Sequence, residues 1–401
     1  MIAWAAAAVL ACWAALALAY RREVVAAWQE PTLAAPVLIV ESDDWGYGPV
    51  EQAEWLRRIA DLLAAFRDAH GAHPVMTLGV VLAGPDTDRI RDDGARRYHR
   101  TTLAAPALAP VRAAMQDGAR RGVFALQLHG MEHYWPDALL RAAQSSAPLR
   151  DWLTAAGMPS TEALPPPLQS RWIDAVALPS TPLPREAIAA AASEEVATFA
   201  AIFGRRPEVV VPPTFVWTDD VEAAWHAAGV ATIVTPGRRY ESRDRDGRPV
   251  PGTATRRNGA TSAQGLVDVV RDDYFEPALG HTADRGLAAL ERKTRAGRPT
   301  LLEMHRMNFT GESAGAGRAL GELRELLSRA LALHPNLVFT DTATLARQWC
   351  EQGPLVEKRF AARLRAALAR LAESPRLVKL AWATAAIVPA WIVWRMSARR
   401  G

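Results

Sequence analysis

Cysteine is nearly missing from this sequence: the 401-residue chain has two, Cys12 and Cys350. One falls in a membrane-type apolar run and the other in a helix-like stretch, so no disulfide framework is expected and the redox compartment stays open. No Gly-x-Gly-x-x-Gly loop follows a strand-like run and no internal repeat is visible, which leaves nucleotide binding without support. Positive charge is also missing from most of the chain. The formal net charge is +4, but residues 355–401 hold ten Lys/Arg against two Glu, a local +8, which leaves residues 1–354 at about −4. The basicity belongs to the tail, so no nucleic-acid partner is expected.

What the chain has is apolar residues, at 50% of the total, enough for a sizeable core. Its length suits two average domains or one large α/β barrel. Residues 2–20 carry no charge and lead straight into Arg21 and Arg22. With no basic stretch before it, this run predicts an uncleaved N-terminal transmembrane anchor rather than a signal peptide. Residues 380–394 are apolar with three tryptophans, and a span over 377–395 with a snorkelling Lys379 predicts a second membrane helix. Between them, 355–376 is patterned as a basic amphipathic helix able to lie on an anionic lipid surface. Basic clusters flank the central region on both inner sides, which favours a bacterial inner-membrane protein with its body on the cytoplasmic side.

The middle alternates strand-like and helix-like segments, the pattern of a mainly parallel α/β architecture. Strands are expected at 36–43, 74–82, 123–129, 208–213, 231–235, 299–305 and 337–341, with helices at 50–70, 185–203 and 319–333. Seven strands fit a closed, distorted (β/α)7-type barrel over 36–350 better than an open sheet. Two insertions interrupt it: 145–184, rich in proline, and 238–265, expected as a mobile loop or hairpin. Loops at the carboxyl ends of barrel strands shape substrate grooves.

Three strand exits carry titratable groups. The first ends in Asp43 and Asp44, the second in His129-Gly-Met-Glu-His133, and the third in Glu303-Met-His305. Adjacent side chains on a strand diverge, so one aspartate can ligate a metal while its neighbour faces substrate. Two histidines four apart can share one ion, and two imidazoles with one carboxylate suit Zn²⁺ and other first-row metals. That constellation points to metal-assisted hydrolysis with a carboxylate base. Glu303, two residues back on the same strand face, is a candidate to favour the His305 imidazolium.

In these motifs and their order the chain resembles the polysaccharide deacetylase family of carbohydrate esterases. The matching segments are Ser42-Asp43-Asp44, His129 with His133, the run from Gly204 and Pro207 to Val211-Pro212-Pro213, and Glu303-Met304-His305. It is more similar still to a bacterial polysaccharide (de)acetylase branch with Ser-Asp-Asp-Trp-Gly, His-Gly-x-Glu-His, Phe-Glu-Pro and His-Arg-x-Asn-Phe-x-Gly. Here these read Ser42–Gly46, His129–His133, Phe275–Pro277 and His305–Gly311. The resemblance implies a distorted barrel of the glycoside hydrolase/deacetylase kind acting on a carbohydrate substrate. Asp44, His129 and His133 would hold one divalent ion, expected to be Zn²⁺. Asp43 would be the base and His305 the acid in removal of an acetyl group from an N-acetylated sugar. Trp45, Glu132, Arg271, Glu276, Glu303, Arg306 and Asn308 would contact substrate or support these groups. One departure stands out: the family has an arginine before Pro-Pro, orienting the catalytic aspartate, and this chain has Val211. Either Arg271 or Arg306 substitutes for it, or the mechanism is altered. A catalytically silent carbohydrate-binding or assembly protein on the same barrel is the alternative. A second is a metallopeptidase in which the His-x-x-Glu-His string makes Glu132 the base.

Overall fold

The computed structural model describes residues 2–310 and 313–398. Nine strands form the main sheet: β1 (Val37–Gly46), β2 (Met76–Val81), β3 (Phe124–Leu128), β4 (Val209–Val210), β5 (Thr232–Thr235), β6 (Val267–Val270), β7 (Asp273–Tyr274), β8 (Thr300–His305) and β9 (Val338–Phe339). Their order is β6-β5-β4-β3-β2-β1-β8-β7, with β9 paired to the start of β1, and every ladder is parallel. Helices cover the outside, so both faces of the strands are dry and the strands read as continuous apolar runs such as Val37-Leu-Ile-Val40. The helix Gln52–Ala64 shows how the layers join: Ala53, Leu56, Ile59, Ala60 and Leu63 recur at helical spacing and are buried. Each large side chain among them contributes about 1.5–3 kcal/mol on burial. Leu56→Ala would cost about 2–5 kcal/mol.

All seven expected strands are present. The stretch at 208–213 shortens to two ladder residues, because Pro212 and Pro213 cannot donate to a neighbour. The expectation omitted residues 267–274, which turn out to complete the barrel. This one extended segment runs as β6 beside β5, passes through Arg271 and Asp272, and continues as β7 beside β8. The wall is thus joined by a strand that changes partners rather than by a ladder between its two edges.

The insertions are more ordered than loops. Residues 238–265 open as an antiparallel hairpin, Arg238–Arg243 against Pro249–Thr255. Its Arg239, together with Arg256 just beyond it, reaches the buried Glu222. The 145–184 insertion drives Arg171 and Trp172 into the core and brings Glu162 to within 3.9 Å of Arg306.

The terminal helices gather at the amino ends of the strands. Ile2–Ala19 is an 18-residue helix, followed by Arg21–Gln29. The helix expected over 355–376 spans only Phe360–Leu371. It does not lie free: Arg370 is buried and donates to the carbonyls of Ala27, Glu30, Pro31, Ala296 and Gly297. The helix expected over 377–395 is broken into Pro375–Ala383 and Ile387–Ala398, at Thr384-Ala385-Ala386. Ala385 there takes φ 54°, a left-handed turn that no helix continues through. Trp13 Nε1 donates to the Thr384 carbonyl at 2.8 Å, pinning the bend to the first helix. Among the described residues no single helix is long and apolar enough to cross a membrane. The bent pair Pro375–Ala383 and Ile387–Arg395, at 106°, passes that test only together. Gly311, which figured in the expectations above, and Arg399 and Arg400 of the basic tail lie outside the described residues.

Candidate active site

The first acidic pair is set by a fault in β1. Against β2, Ser42 pairs with Leu78 and Trp45 with Val80, so three steps on one strand match two on the other. The extra residue makes a bulge, and Asp44 sits in it at φ 70°. A side chain in that left-handed region costs about 1–2 kcal/mol, least for Asp, Asn and Gly. The bulge replaces the simple alternation expected for Asp43 and Asp44: both carboxylates reach the barrel mouth, about two different centres. Gly79 on β2 makes room, since a Cβ there would come within 2.3 Å of Asp43 Oδ1.

Asp44 belongs to the first centre. Its Oδ1 lies 3.4 Å from His129 Nε2 and 3.5 Å from His133 Nε2. This oxygen is buried and makes no hydrogen bond. His129 leaves β3 and donates Nδ1–H to the Val211 carbonyl at 2.8 Å, which turns the Nε2 lone pair toward Asp44. Burial opposes charge on Asp44, but the neighbouring imidazoles of His129, His133 and His305 outweigh it and hold the carboxyl far below its usual range. Burial, with Asp44 opposing, pushes His133 down to about 4, so it is neutral at pH 7. A deprotonated carboxylate and a neutral imidazole are the forms that ligate. Bonds of about 2.0–2.1 Å in a tetrahedral site separate donor atoms by about 3.3–3.4 Å, which both Asp44–histidine separations match, and all three donor atoms lie within 4.8 Å of one another.

Asp43 belongs to the second centre, and a guanidinium aims it. Arg271, at the crossing from β6 to β7, donates Nη2 to Asp43 Oδ2 at 2.6 Å and Nη1 to Oδ1 at 3.2 Å. It also donates Nη1 to Glu41 at 3.0 Å, and Nε stands 3.3 Å from Glu303 Oε2. Burial alone would raise the Asp43 carboxyl; Arg271, His129 and His305 pull it below the usual range. Arg271 therefore fills the part that the resemblance assigns to the position of Val211. Arg306, the other candidate for that part, donates instead to the Tyr47 carbonyl at 2.9 Å. Val211 contributes its main chain, accepting from His129 and donating to Leu128 at 2.8 Å.

His305 ends β8 opposite Asp43. Its Nδ1 is 2.6 Å from Glu276 Oε1, so Glu276 is the main anchor of the imidazolium and the expectation for Glu303 is corrected. Glu303 Oε1 is 3.8 Å from Nε2, and Glu303 itself is raised by burial against the pull of Arg271. Burial works against the charged ring, yet the Glu276 hydrogen bond and the charges of Asp44 and Asp43 push His305 up to about 10. Asn308 holds Glu276 and the His305 carbonyl with one amide nitrogen, and its Oδ1 accepts from Ala278.

No family model and no curated protein matches the chain. Solved structures similar to it include a 4-alpha-glucanotransferase from Thermococcus litoralis (TM-score 0.41, 11% identity, 80% of this chain), of which it spans 41%. Others are a family 4 carbohydrate esterase from Streptomyces lividans in complex with acetate (TM-score 0.33, 9% identity, 78% of this chain and 93% of that one), and a family 4 acetyl xylan esterase from Clostridium thermocellum in complex with a cobalt ion (TM-score 0.36, 11% identity, 80% and 94%). The chemistry of the mouth rests on its own side chains.

Two expected contacts face elsewhere. Trp45 is fully buried, donates Nε1 to Ser42 Oγ at 2.8 Å and packs on Phe309 beneath the site. Glu132 is clamped by Arg100 at 2.6 Å and Arg171 at 2.9 Å. Residues 129–133 form a turn with Gly130 at φ 98°, not the helix that the metallopeptidase arrangement requires, and that alternative falls. Glu195 was not foreseen from the sequence: it accepts from Met131 N–H, Arg171 and Trp225, bracing the histidine turn. Glu41 was missed too; it accepts from Gln127, Arg271 and Thr342 beneath Asp43. Only the burial of a carboxylate inside an apolar strand hinted at it.

Proposed function

We propose that this chain is a metal-dependent hydrolase that removes acetyl groups from N-acetylated sugars of a glycan. The observation that supports this most is the buried, unpartnered Asp44 Oδ1 facing two imidazole nitrogens. A divalent ion held by Asp44, His129 and His133, Zn²⁺ by the donor chemistry, would supply Lewis acidity toward the acetyl carbonyl and make water acidic enough to react. Asp43, ionised and held by Arg271 through both oxygens, accepts the proton from the attacking water. His305 carries its proton on Nε2 at the mouth and delivers it to the leaving amine. Glu276 keeps Nδ1 occupied, so only Nε2 is free to exchange. Arg271 and Glu276 thus give one group a lowered and the other a raised proton affinity, the separation that acid and base roles need.

The reading includes membrane anchoring through the N-terminal helix and the bent C-terminal pair, with the barrel on the cytoplasmic side by its flanking charges. Val37 to Asp44 of β1 runs from the terminal helices to the mouth, so at about 3.3 Å per residue the mouth would stand about 25 Å from the anchors. That reach favours sugar chains extending from the surface over a single sugar attached directly to a lipid. The decisive experiment pairs metal content of the purified protein with acetate release from N-acetylated oligosaccharides. Metal bound at one equivalent with acetate released supports the reading. Metal bound with sugar retained and no acetate would mean the silent, sugar-binding alternative, and a chain that takes up no metal would overturn both the ion and the mechanism.

A further inference from the structure

Two adjoining cavities lie under the barrel, at the end opposite the catalytic groups. The first, about 700 Å³, lies between the N-terminal helix, the bent C-terminal pair and the barrel floor, with Trp13, Leu16, Leu368, Leu377, Ile387 and Trp391 on its walls. The second, about 410 Å³, is polar and holds Arg295, Arg298, Arg359, Arg365 and His334 against Glu357. Arg295 lines both. An apolar chamber beside a cationic one, with Arg295 lining both, matches a molecule with a hydrocarbon tail and an anionic head.

Which cations are available follows from their partners. Arg298 is engaged by Glu30 and Glu373, and Arg359 by Glu357. Among the described residues Arg295 has only Glu291 as an acidic partner, a pair in which both side chains are more than half exposed, at 60% and 68%. Such a pair is worth little in water and yields readily to a better anion. Arg365 stacks 4.7 Å from the Trp394 ring and has no acidic partner among the described residues. Charge agrees with placement, since the tail from residue 355 onward carries the local +8. The size of the first chamber lies within the range of ligand pockets, about 300–1,000 Å³.

We infer that the underside of the barrel binds one anionic glycerophospholipid, an acyl chain in the apolar chamber and the phosphate between Arg295 and Arg365. The inference rests on the membrane reading above and adds a site of defined headgroup charge to it. Neither arginine touches the catalytic groups, so acetate release by the variants serves as a check of folding. The full-length protein is exchanged into mixed micelles, and retained lipid is counted by native mass spectrometry with phosphatidylglycerol or phosphatidylcholine as the probe. Vesicle flotation is run in parallel. A basic side chain near an anionic lipid is worth about fivefold in affinity. Arg295→Gln should therefore weaken phosphatidylglycerol about fivefold and Arg295→Gln/Arg365→Gln about 25-fold, with phosphatidylcholine unchanged. Equal retention of both lipids, or a double variant indistinguishable from the parent, would overturn the site while flotation still supported the membrane reading. Loss of flotation by the parent protein would defeat both. Protection by inorganic phosphate equal to that by phosphatidylglycerol would reassign the polar chamber to a free anion and overturn the lipid.

Discussion

Replacing Arg271 with methionine should reverse the way stability depends on pH. The guanidinium is fully buried among Glu41, Asp43 and Glu303, at 3.0, 2.6 and 3.3 Å. Methionine has a similar length, so the change removes charge and five donors with little cavity. Breaking a buried ion pair by deleting one partner costs about 3–5 kcal/mol, and here three carboxylates lose their cation together. In the parent, Asp43 is depressed, so its contribution is full above the unfolded value of about 3.9 and lost as pH falls through the folded one. Without Arg271, burial becomes the governing influence on Asp43 and raises it. The folded state then binds the proton more tightly than the unfolded chain, and stability falls as pH rises above about 4. Urea unfolding of parent and variant between pH 4 and 8 reads both effects. The acid limb of kcat/KM should move upward with Asp43. Arg271→Lys keeps a charge but not the two-point grip, and should recover part of the stability with little of the activity. A methionine variant within about 1 kcal/mol of the parent, with an unmoved acid limb, would refute the role given to Arg271.

Asp44→Ala, His129→Ala and His133→Ala should each lose bound metal by elemental analysis; full occupancy in all three would sink the ligand assignment. Asp43→Asn should keep the metal and lose about 10²–10⁴-fold in turnover, and near-normal turnover would remove Asp43 as base. His305 is raised to about 10, so the stability it contributes is full below its unfolded pKa and lost as pH rises toward 10. Glu276→Gln should lower that upper limit and bring the basic limb of kcat/KM down with it; an unchanged basic limb would leave His305 without its acid role. An alkaline phosphatase domain inserted at the exposed turn Arg245-Asp246 should be inactive if the barrel is cytoplasmic, whereas strong activity would move the site to the envelope side.

The sequence carries the elements whose signal is local. Apolar runs ending in Asp43-Asp44, His129 and His305 mark strand tips, and all three meet at the mouth. The bulge at Asp44 leaves no such mark, because it is defined by the register of β1 against β2 and not by β1 alone. The same holds for Arg271. It lies in a segment of two short strand pieces, 230 residues from Glu41, and only closure of the barrel brings the two together. Glu303 looked the natural partner of His305 because it shares a strand face. Glu276 wins because β7 pairs with β8, and the chain beyond β7 carries Glu276 to the Nδ1 side of the ring. The string His129-Gly-Met-Glu-His133 suggested a second chemistry until Arg100 and Arg171 were seen to occupy the glutamate.

The strand that changes partners between β5 and β8 also gives the protein an order of assembly. Contacts across 230 residues to Glu41 and 301 residues from Thr342 to Glu41 form only after long stretches of chain have been brought together. Such closure is slow, because loop entropy is lost before the distant contacts repay it. Segment 267–274 is the piece that seals the wall, and Arg271 sits within it. The catalytic carboxylate therefore gains its cation in the same event that completes the barrel. A partly folded chain would hold Glu41, Asp43 and Glu303 near one another without that counter-charge, which disfavours half-closed forms and makes the final step cooperative. Completion of folding and the pairing of Asp43 with Arg271 should therefore be one transition, and refolding followed by recovery of acetate release should show a single slow phase for both.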